Sequence, residues 1–208
     1  MKIGLVSCLM KDNDIEHQLA QIKHYVSTNN NCDLICFGES FLQGFEGLTW
    51  NYDEDIKRAL DQDDPTILYI RELAKSYNCG ISFGFIEKDN GTLYSSNMVI
   101  DSNGEIIDVF RRVSTGWKEP VASSMYKEGK GFHTFTYMDK VLGAAICGDV
   151  WHDSFLKELK QMKMDAFLWP LYVDYSIEQW NESLQYEYAE RVQNLPYPVL
   201  MINSFVRD

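Results

Sequence analysis

Short apolar runs that alternate with segments of helical period constrain this chain more than any other feature. Residues 2–8 and 34–37 are compact apolar runs. Between them Ile15, Leu19, Ile22 and Val26 recur at the spacing of one helix face, with Asp12, Asn13 or Asp14 available as a cap. This reads as strand, helix, strand. Asp64-Pro65 opens a second amphipathic helix carrying Ile67, Ile70, Leu73, Ala74 and Tyr77, with proline at the first helical position and Gly80 soon after its end. A strand over 81–86 follows. The turn sequences Asp89-Asn90-Gly91 and Ser102-Asn103-Gly104 each separate β-rich stretches, so 81–111 reads as a three-stranded antiparallel meander. A chain that adds a meander to a strand-helix-strand unit must build a mixed sheet.

Beyond an irregular stretch, 113–131, strands over 132–138 and 141–146 lead to Cys147. A helix over 155–162, a strand over 166–169, a long helix over 177–194 and a strand over 199–202 complete the pattern. Helices alternate with strands in both halves, which predicts an α/β fold of sheets covered by helices on their outer faces. With 208 residues, 45% of them hydrophobic, the chain can bury one sizeable core, and residues 1–208 are read as a single domain.

Nineteen basic against 31 acidic side chains give a formal charge of −12, which repels phosphate backbones and anionic lipid surfaces, so neither nucleic acid nor membrane is expected as a partner. No apolar run approaches the ~20 residues of a bilayer span. The opening Met1-Lys2-Ile3-Gly4-Leu5-Val6 is too short and too quickly polar for a signal peptide, and a cytoplasmic protein is expected. The five cysteines, Cys8, Cys32, Cys36, Cys79 and Cys147, form neither a disulfide framework nor a zinc knuckle. His17, His24, His133 and His152 are scattered without ligand spacing, and no glycine-rich phosphate loop is present, so no metal or organic cofactor is expected.

In open α/β arrangements functional groups gather just beyond the carboxyl ends of strands. Glu39, the pair Arg111-Arg112 and Cys147 occupy such places. Gly148 and Asp149 allow a sharp turn after Cys147 that would expose the sulfur beside free N–H groups and favour thiolate. Spacing alone equally allows Cys147 to be a packed thiol at a strand end. Glu39 follows five largely apolar residues; a carboxyl buried there has a raised pKa and suits a general base, whereas an exposed one is a solvated loop acid.

Three separated segments together resemble one family. The stretch Leu34-Ile35-Cys36-Phe37-Gly38-Glu39-Ser40-Phe41-Leu42-Gln43-Gly44 resembles the nitrilase-superfamily segment around the general-base glutamate. Phe110-Arg111-Arg112 falls where that family carries an aromatic residue, an arginine and its catalytic lysine. Gly143-Ala144-Ala145-Ile146-Cys147-Gly148-Asp149 resembles the segment around the nucleophilic cysteine, and Asn203 resembles the late asparagine motif. The resemblance implies a four-layer α-β-β-α sandwich, hydrolysis of non-peptide C–N bonds through a thioester acyl-enzyme, and dimers made by stacking sandwiches. It implies Cys147 as nucleophile, Glu39 as base, and Glu119 as the second glutamate of many members. Aromatic residues flank these segments, and Phe45, Trp117, Trp151 and Tyr172, with Gly148 and Asp149, are expected to line the substrate cleft. Nitrile-cleaving members usually carry a bulky aromatic residue after the nucleophile, so Gly148 favours an amidase, and the acidic surface with Asp149 and Asp174 near the site segments suits a cationic or neutral amide such as an N-carbamoyl amine.

The chain departs from the family in two ways. Arg112 stands where the family has lysine; it keeps the charge but cannot readily give up a proton. Three readings stay open: Arg112 is an electrostatic clamp, Lys118 stands in for the lysine, or catalysis is impaired and the fold serves as a binding or regulatory protein. The sequence also stops soon after the asparagine strand, which suggests a short variant or a truncation lacking the last strands. The open sheet edge would be covered in a homodimer or larger assembly. A flavodoxin-like nucleotide-binding fold is disfavoured, because no glycine follows the first strand at Ser7-Cys8-Leu9-Met10-Lys11-Asp12.

Overall fold

In a computed structural model describing residues 1–29 and 31–205, the chain forms two mixed sheets between helical layers. Strand β1 (Ile3–Leu5) leads into helix α1 (Ile15–Thr28), capped by the Asp14 side chain accepting from His17 N–H at 3.0 Å. β2 (Leu34–Cys36) is followed by α2 (Tyr52–Arg58) and α3 (Pro65–Tyr77). Asp64 caps α3, Pro65 takes its first turn, and Asn78 ends it in the left-handed conformation, ahead of the glycine expected to stop it. The meander is β3 (Gly80–Asp89), β4 (Thr92–Ile100) and β5 (Ile106–Arg111). β1, β2 and β3 pair in parallel and β3, β4 and β5 antiparallel, which makes the five-stranded mixed sheet that the turn signals predict.

The second sheet runs β6 (Thr134–Tyr137), β7 (Lys140–Ala144), β8 (Ala166–Leu171) and β9 (Val199–Asn203), antiparallel at its first pair and parallel thereafter. Helix α4 (Asp153–Gln161) joins β7 to β8. The long helix expected over 177–194 is α5 (Ile177–Gln179), a π-helical turn (Trp180–Leu184) and α6 (Gln185–Val192). Helix α2 departs from sequence expectation because tertiary contacts decide it. Asp55 in α2, a helix without a strong apolar period, is fully buried and accepts from Thr49 N–H, Trp50 N–H and the Tyr126 hydroxyl. Phe135 and Tyr137 in β6 turn inward as Thr134 and Thr136 turn out.

One large core lies between α1, α3 and the first sheet, with Ile22, Val26, Ile67 and Ile70 packed on Ile35, Phe37 and Phe83. A second joins Leu34, Cys36, Val99 and Phe110 of the first sheet to Phe135, Leu142, Phe167 and Leu168 of the second, and continues under α4 and α6 to Leu159 and Tyr188. The layers are helix, sheet, sheet, helix. No described helix is long and apolar enough to cross a membrane. The carboxyl ends of β2 and β7 and the end of the meander converge, which brings together the three segments singled out by sequence.

Candidate active site

Glu39 sits in a loop held from three sides. Gln18 of α1, fully buried, donates to the Phe41 carbonyl at 2.8 Å, and Gln43 exchanges hydrogen bonds with the Ile86 backbone, its Oε1 accepting from N–H at 2.9 Å. The loop lies so close on β3 that a Cβ at Gly84 would collide with the Ser40 backbone nitrogen, and Ser40 itself has φ +48°. Glu39 is 1% exposed. Its Oε1 accepts from Arg112 Nη1 at 2.7 Å. Its Oε2 is buried without a conventional hydrogen bond, and the Cys147 thiol is an interacting neighbour of the Glu39 carboxyl. Burial pushes the Glu39 carboxyl above its ordinary value, and the adjacent guanidinium only partly restrains the rise.

Arg112 follows β5 and is 4% exposed. Its Nε donates to Ser114 Oγ at 2.9 Å, so two sides of the guanidinium are fixed. Burial opposes its charge, but Glu39, Cys147 and Asp149 outweigh that, and its pKa lies above the ordinary arginine value. The cation is permanent. Cys147 opens a 3-10 turn (Cys147–Trp151) with φ +42°, a left-handed conformation that a non-glycine residue keeps only when its surroundings impose it. Trp169 Nε1 donates to the Cys147 carbonyl at 3.0 Å, and the Tyr172 carbonyl lies 3.9 Å from Sγ. Burial, with Glu39 adding to it and Arg112 opposing, pushes the thiol up to about 12. At neutral pH the sulfur therefore carries its proton, beside a carboxylate able to take it.

Asp149 ties these pieces together. Its Oδ1 accepts from Val113 N–H at 3.1 Å and Ser114 N–H at 2.7 Å, and its Oδ2 from Ile146 N–H at 2.9 Å. One carboxylate thus spans the arginine segment and the nucleophile turn. Burial raises its pKa against these bonds.

The other residues singled out by sequence fall into two groups. Phe45 and Tyr172 stack with ring centroids 4.7 Å apart in the first core, and the backbone carbonyl of Tyr172 lies near the sulfur. Gly148 packs against the Arg112 guanidinium. The remaining residues are engaged in other contacts. Lys118 does not approach as a substitute lysine: its Nζ lies 2.6 Å from Glu128 Oε1 and donates to the Tyr126 carbonyl at 2.8 Å. Glu119 is exposed, on the same loop. Trp117 is buried with Ala59, Ile86, Leu93 and Tyr126 in a separate cluster, an ordinary packing role. Trp151 sets its ring on Tyr188 and beneath Arg191. Asp149, fully buried with both oxygens taken by backbone N–H groups, acts on the loops and has no open face for a ligand. Ser114 escaped sequence reasoning, since a lone serine after a strand carries no signal; only its contact with Arg112 reveals it. Among the described residues, no group of three or more His, Cys, Asp or Glu side chains is placed to hold a metal ion.

A buried Glu and Arg ion pair with a half-buried Cys as neighbour resembles the arrangement that the sequence resemblance implies. A sequence model of carbon-nitrogen hydrolases matches residues 2–207. The chain belongs to the carbon-nitrogen hydrolase family. It is similar to a nitrilase of Meyerozyma guilliermondii, 36% identical over 86 residues, which cover 38% of this chain and 27% of that one. It is similar to a cyanide hydratase of Penicillium rubens, 26% identical over 76% of this chain and 48% of the other, and to a citrullinase of Francisella tularensis, 24% identical over 100% of this chain and 75% of the other. The matched part thus spans under half the length of the first two. Among solved structures, an amidase from a Nesterenkonia species shares the fold at TM-score 0.76 and 14% identity, covering 98% of this chain and 76% of that one. The family's helix-sheet-sheet-helix fold is therefore shown for this chain.

Proposed function

We propose that this carbon-nitrogen hydrolase cleaves the C–N bond of a small amide or N-carbamoyl compound through a thioester on Cys147. One observation carries the reading: buried Glu39 gives one oxygen to Arg112, keeps the other free of any conventional hydrogen bond, and has the half-buried Cys147 thiol as an interacting neighbour. As Sγ attacks the carbonyl carbon, its proton passes to Glu39 Oε2, so no free thiolate has to form against a pKa of about 12. Negative charge develops on the carbonyl oxygen. Arg112 stabilises it, together with the N–H of Gly148, which as the second residue of the 3-10 turn has no partner within that turn. The C–N bond then breaks, and Glu39 returns the proton to the departing nitrogen. Water, deprotonated by Glu39, attacks the thioester; the C–S bond breaks, the acid leaves and the thiol is restored. Arg112 acts as a clamp throughout and transfers no proton.

The substrate class draws support from a citrullinase that matches the whole chain, while a cyanide hydratase matches 76% of it and makes a nitrile the competing class. An ammonia-release screen over amides, ureido acids and nitriles, with Cys147→Ala as control, tests this reading. Release from an amide or ureido compound, abolished in the control, is expected; release from nitriles alone would refute the amide class. A protein that hydrolyses none of them and whose Cys147 reacts with iodoacetamide no faster than Cys32 would instead be a binding protein. We also propose that β9, the last strand of its sheet, with Val199, Leu200 and Met201 half-exposed, is covered by a second copy of the chain. A monomer in sedimentation at micromolar concentration would exclude that.

A further inference from the structure

Gly148 follows the nucleophile, and its backbone does not require glycine: unlike Gly44, Gly91, Gly104 and Gly131, it lies outside the positive-φ region. Space is what the position needs. A Cβ built there would lie 2.5 Å from Arg112 Nη2 and 3.4 Å from Ser114 Oγ. The first distance is far inside van der Waals contact, so something must move. The guanidinium cannot swing aside freely, because Nε is held by Ser114 and Nη1 by Glu39, and Ser114 N–H is itself bound by Asp149. Movement would break the bonds that aim the cation and the base. We propose that Gly148 is the positioning residue that admits an arginine beside the nucleophile, so that positions 112 and 148 work as a matched pair.

Lysine carries no arm corresponding to Nη2, since its side chain ends where the central guanidinium carbon of arginine sits. A Cβ at 148 and a lysine at 112 are therefore compatible, whereas a Cβ and an arginine are not. It follows that the glycine after the nucleophile reports the size of the neighbouring cation, and that its absence of bulk is no guide to whether the substrate is an amide or a nitrile. The inference rests on Cys147 being the nucleophile proposed above, but its test reads thiol chemistry and needs no substrate.

The experiment compares full-length native protein, Gly148→Ala, Arg112→Lys and the double variant. Cys147 alkylation by iodoacetamide is followed by peptide mapping across a pH series, and folding by circular dichroism. Gly148→Ala should slow alkylation about tenfold or more and shift its pH profile, because the guanidinium leaves Glu39, while Arg112→Lys changes it less. The double variant should react at close to the rate of Arg112→Lys, which is rescue of the alanine by the lysine. Losses that multiply in the double variant, or a Gly148→Ala protein that reacts like the native one, would overturn the pairing. Should Gly148→Ala not fold, a folded double variant supports the pairing and an unfolded one overturns it. If rescue appears but no C–N substrate is cleaved, the hydrolase reading fails and the pairing stands; if substrate is cleaved without rescue, the reverse holds.

Discussion

Arg111 and Arg112 are neighbours at the end of β5, point to opposite sides of the strand, and each meets a fully buried glutamate. Arg111 binds Glu87 through both oxygens, at 2.7 and 2.8 Å, reaches Asp89 at 2.8 Å, and lies over the Tyr94 ring. Ser96 and Gln62 also donate to Glu87, so no lone pair there faces an unoccupied space. Arg112 binds Glu39 through one oxygen only. The first pair is saturated and serves the sheet. The second keeps one oxygen free of any conventional hydrogen bond, and that opening separates the pair proposed as catalytic from the structural one, because a carboxylate whose oxygens are all engaged cannot accept a proton without losing a bond.

The sharpest way to break this contrast is to neutralise each glutamate. Glu39→Gln should reduce hydrolysis roughly a hundredfold to ten-thousandfold. Glu87→Gln should cost stability, about 3 kcal/mol in urea unfolding, because it leaves Arg111 without its buried partner, while turnover per folded molecule stays within about threefold. Equal losses of activity would erase the distinction. The pH dependence sharpens it further. On the proposed mechanism hydrolysis needs ionised Glu39 and protonated Cys147, so kcat/KM should fall on the acid side at a pH above the ordinary glutamate value of about 4.3, and on the alkaline side only as pH nears the Cys147 value of about 12. The raised Glu39 pKa also means that its contribution to stability is complete below the ordinary carboxylate range and is lost as pH rises through the folded value. An acid limb at the ordinary value would show that Glu39 is not desolvated in solution.

A smaller effect is expected at the latch. Asp149→Asn keeps the size but replaces one acceptor oxygen with a donor, and should slow Cys147 alkylation about tenfold through misalignment. An unchanged rate would mean that the two loops hold their places without it. Least of all should happen at Lys118→Met. Its amine is engaged with Glu128 and the Tyr126 carbonyl, so alkylation of Cys147 should change by less than about twofold. A larger loss would restore Lys118 as a partner of the site.

Much of the fold was legible because local signals and tertiary structure agree: the helical repeat from Ile15 to Val26, the Asn-Gly turns of the meander, and Pro65 at a helix start all formed as the pattern predicts. α2 was not legible, since Asp55 is held by a tyrosine 71 residues away and no local period announces it. In the site, Glu39, Arg112 and Cys147 could be named because each ends an apolar run. Lys118 and Glu119 were misplaced because proximity in sequence says nothing about which way an irregular loop turns. Asp149 looked like a ligand contact because a carboxylate beside a nucleophile reads that way until its three backbone donors are seen. Ser114 and the room at Gly148 exist only as distances.

Glu39 and Arg112 extend from strands of one sheet and Cys147 from a strand of the other, with Asp149 bonded across the join. During synthesis, then, the nascent chain carries an ordinary sulfhydryl until residue 149 has left the ribosome and the two sheets have closed on each other. The pairing of sulfur, base and cation cannot run ahead of maturation, and the moment at which the labelling rate of residue 147 departs from that of an unfolded thiol in a refolding reaction would serve as a clock for that closure.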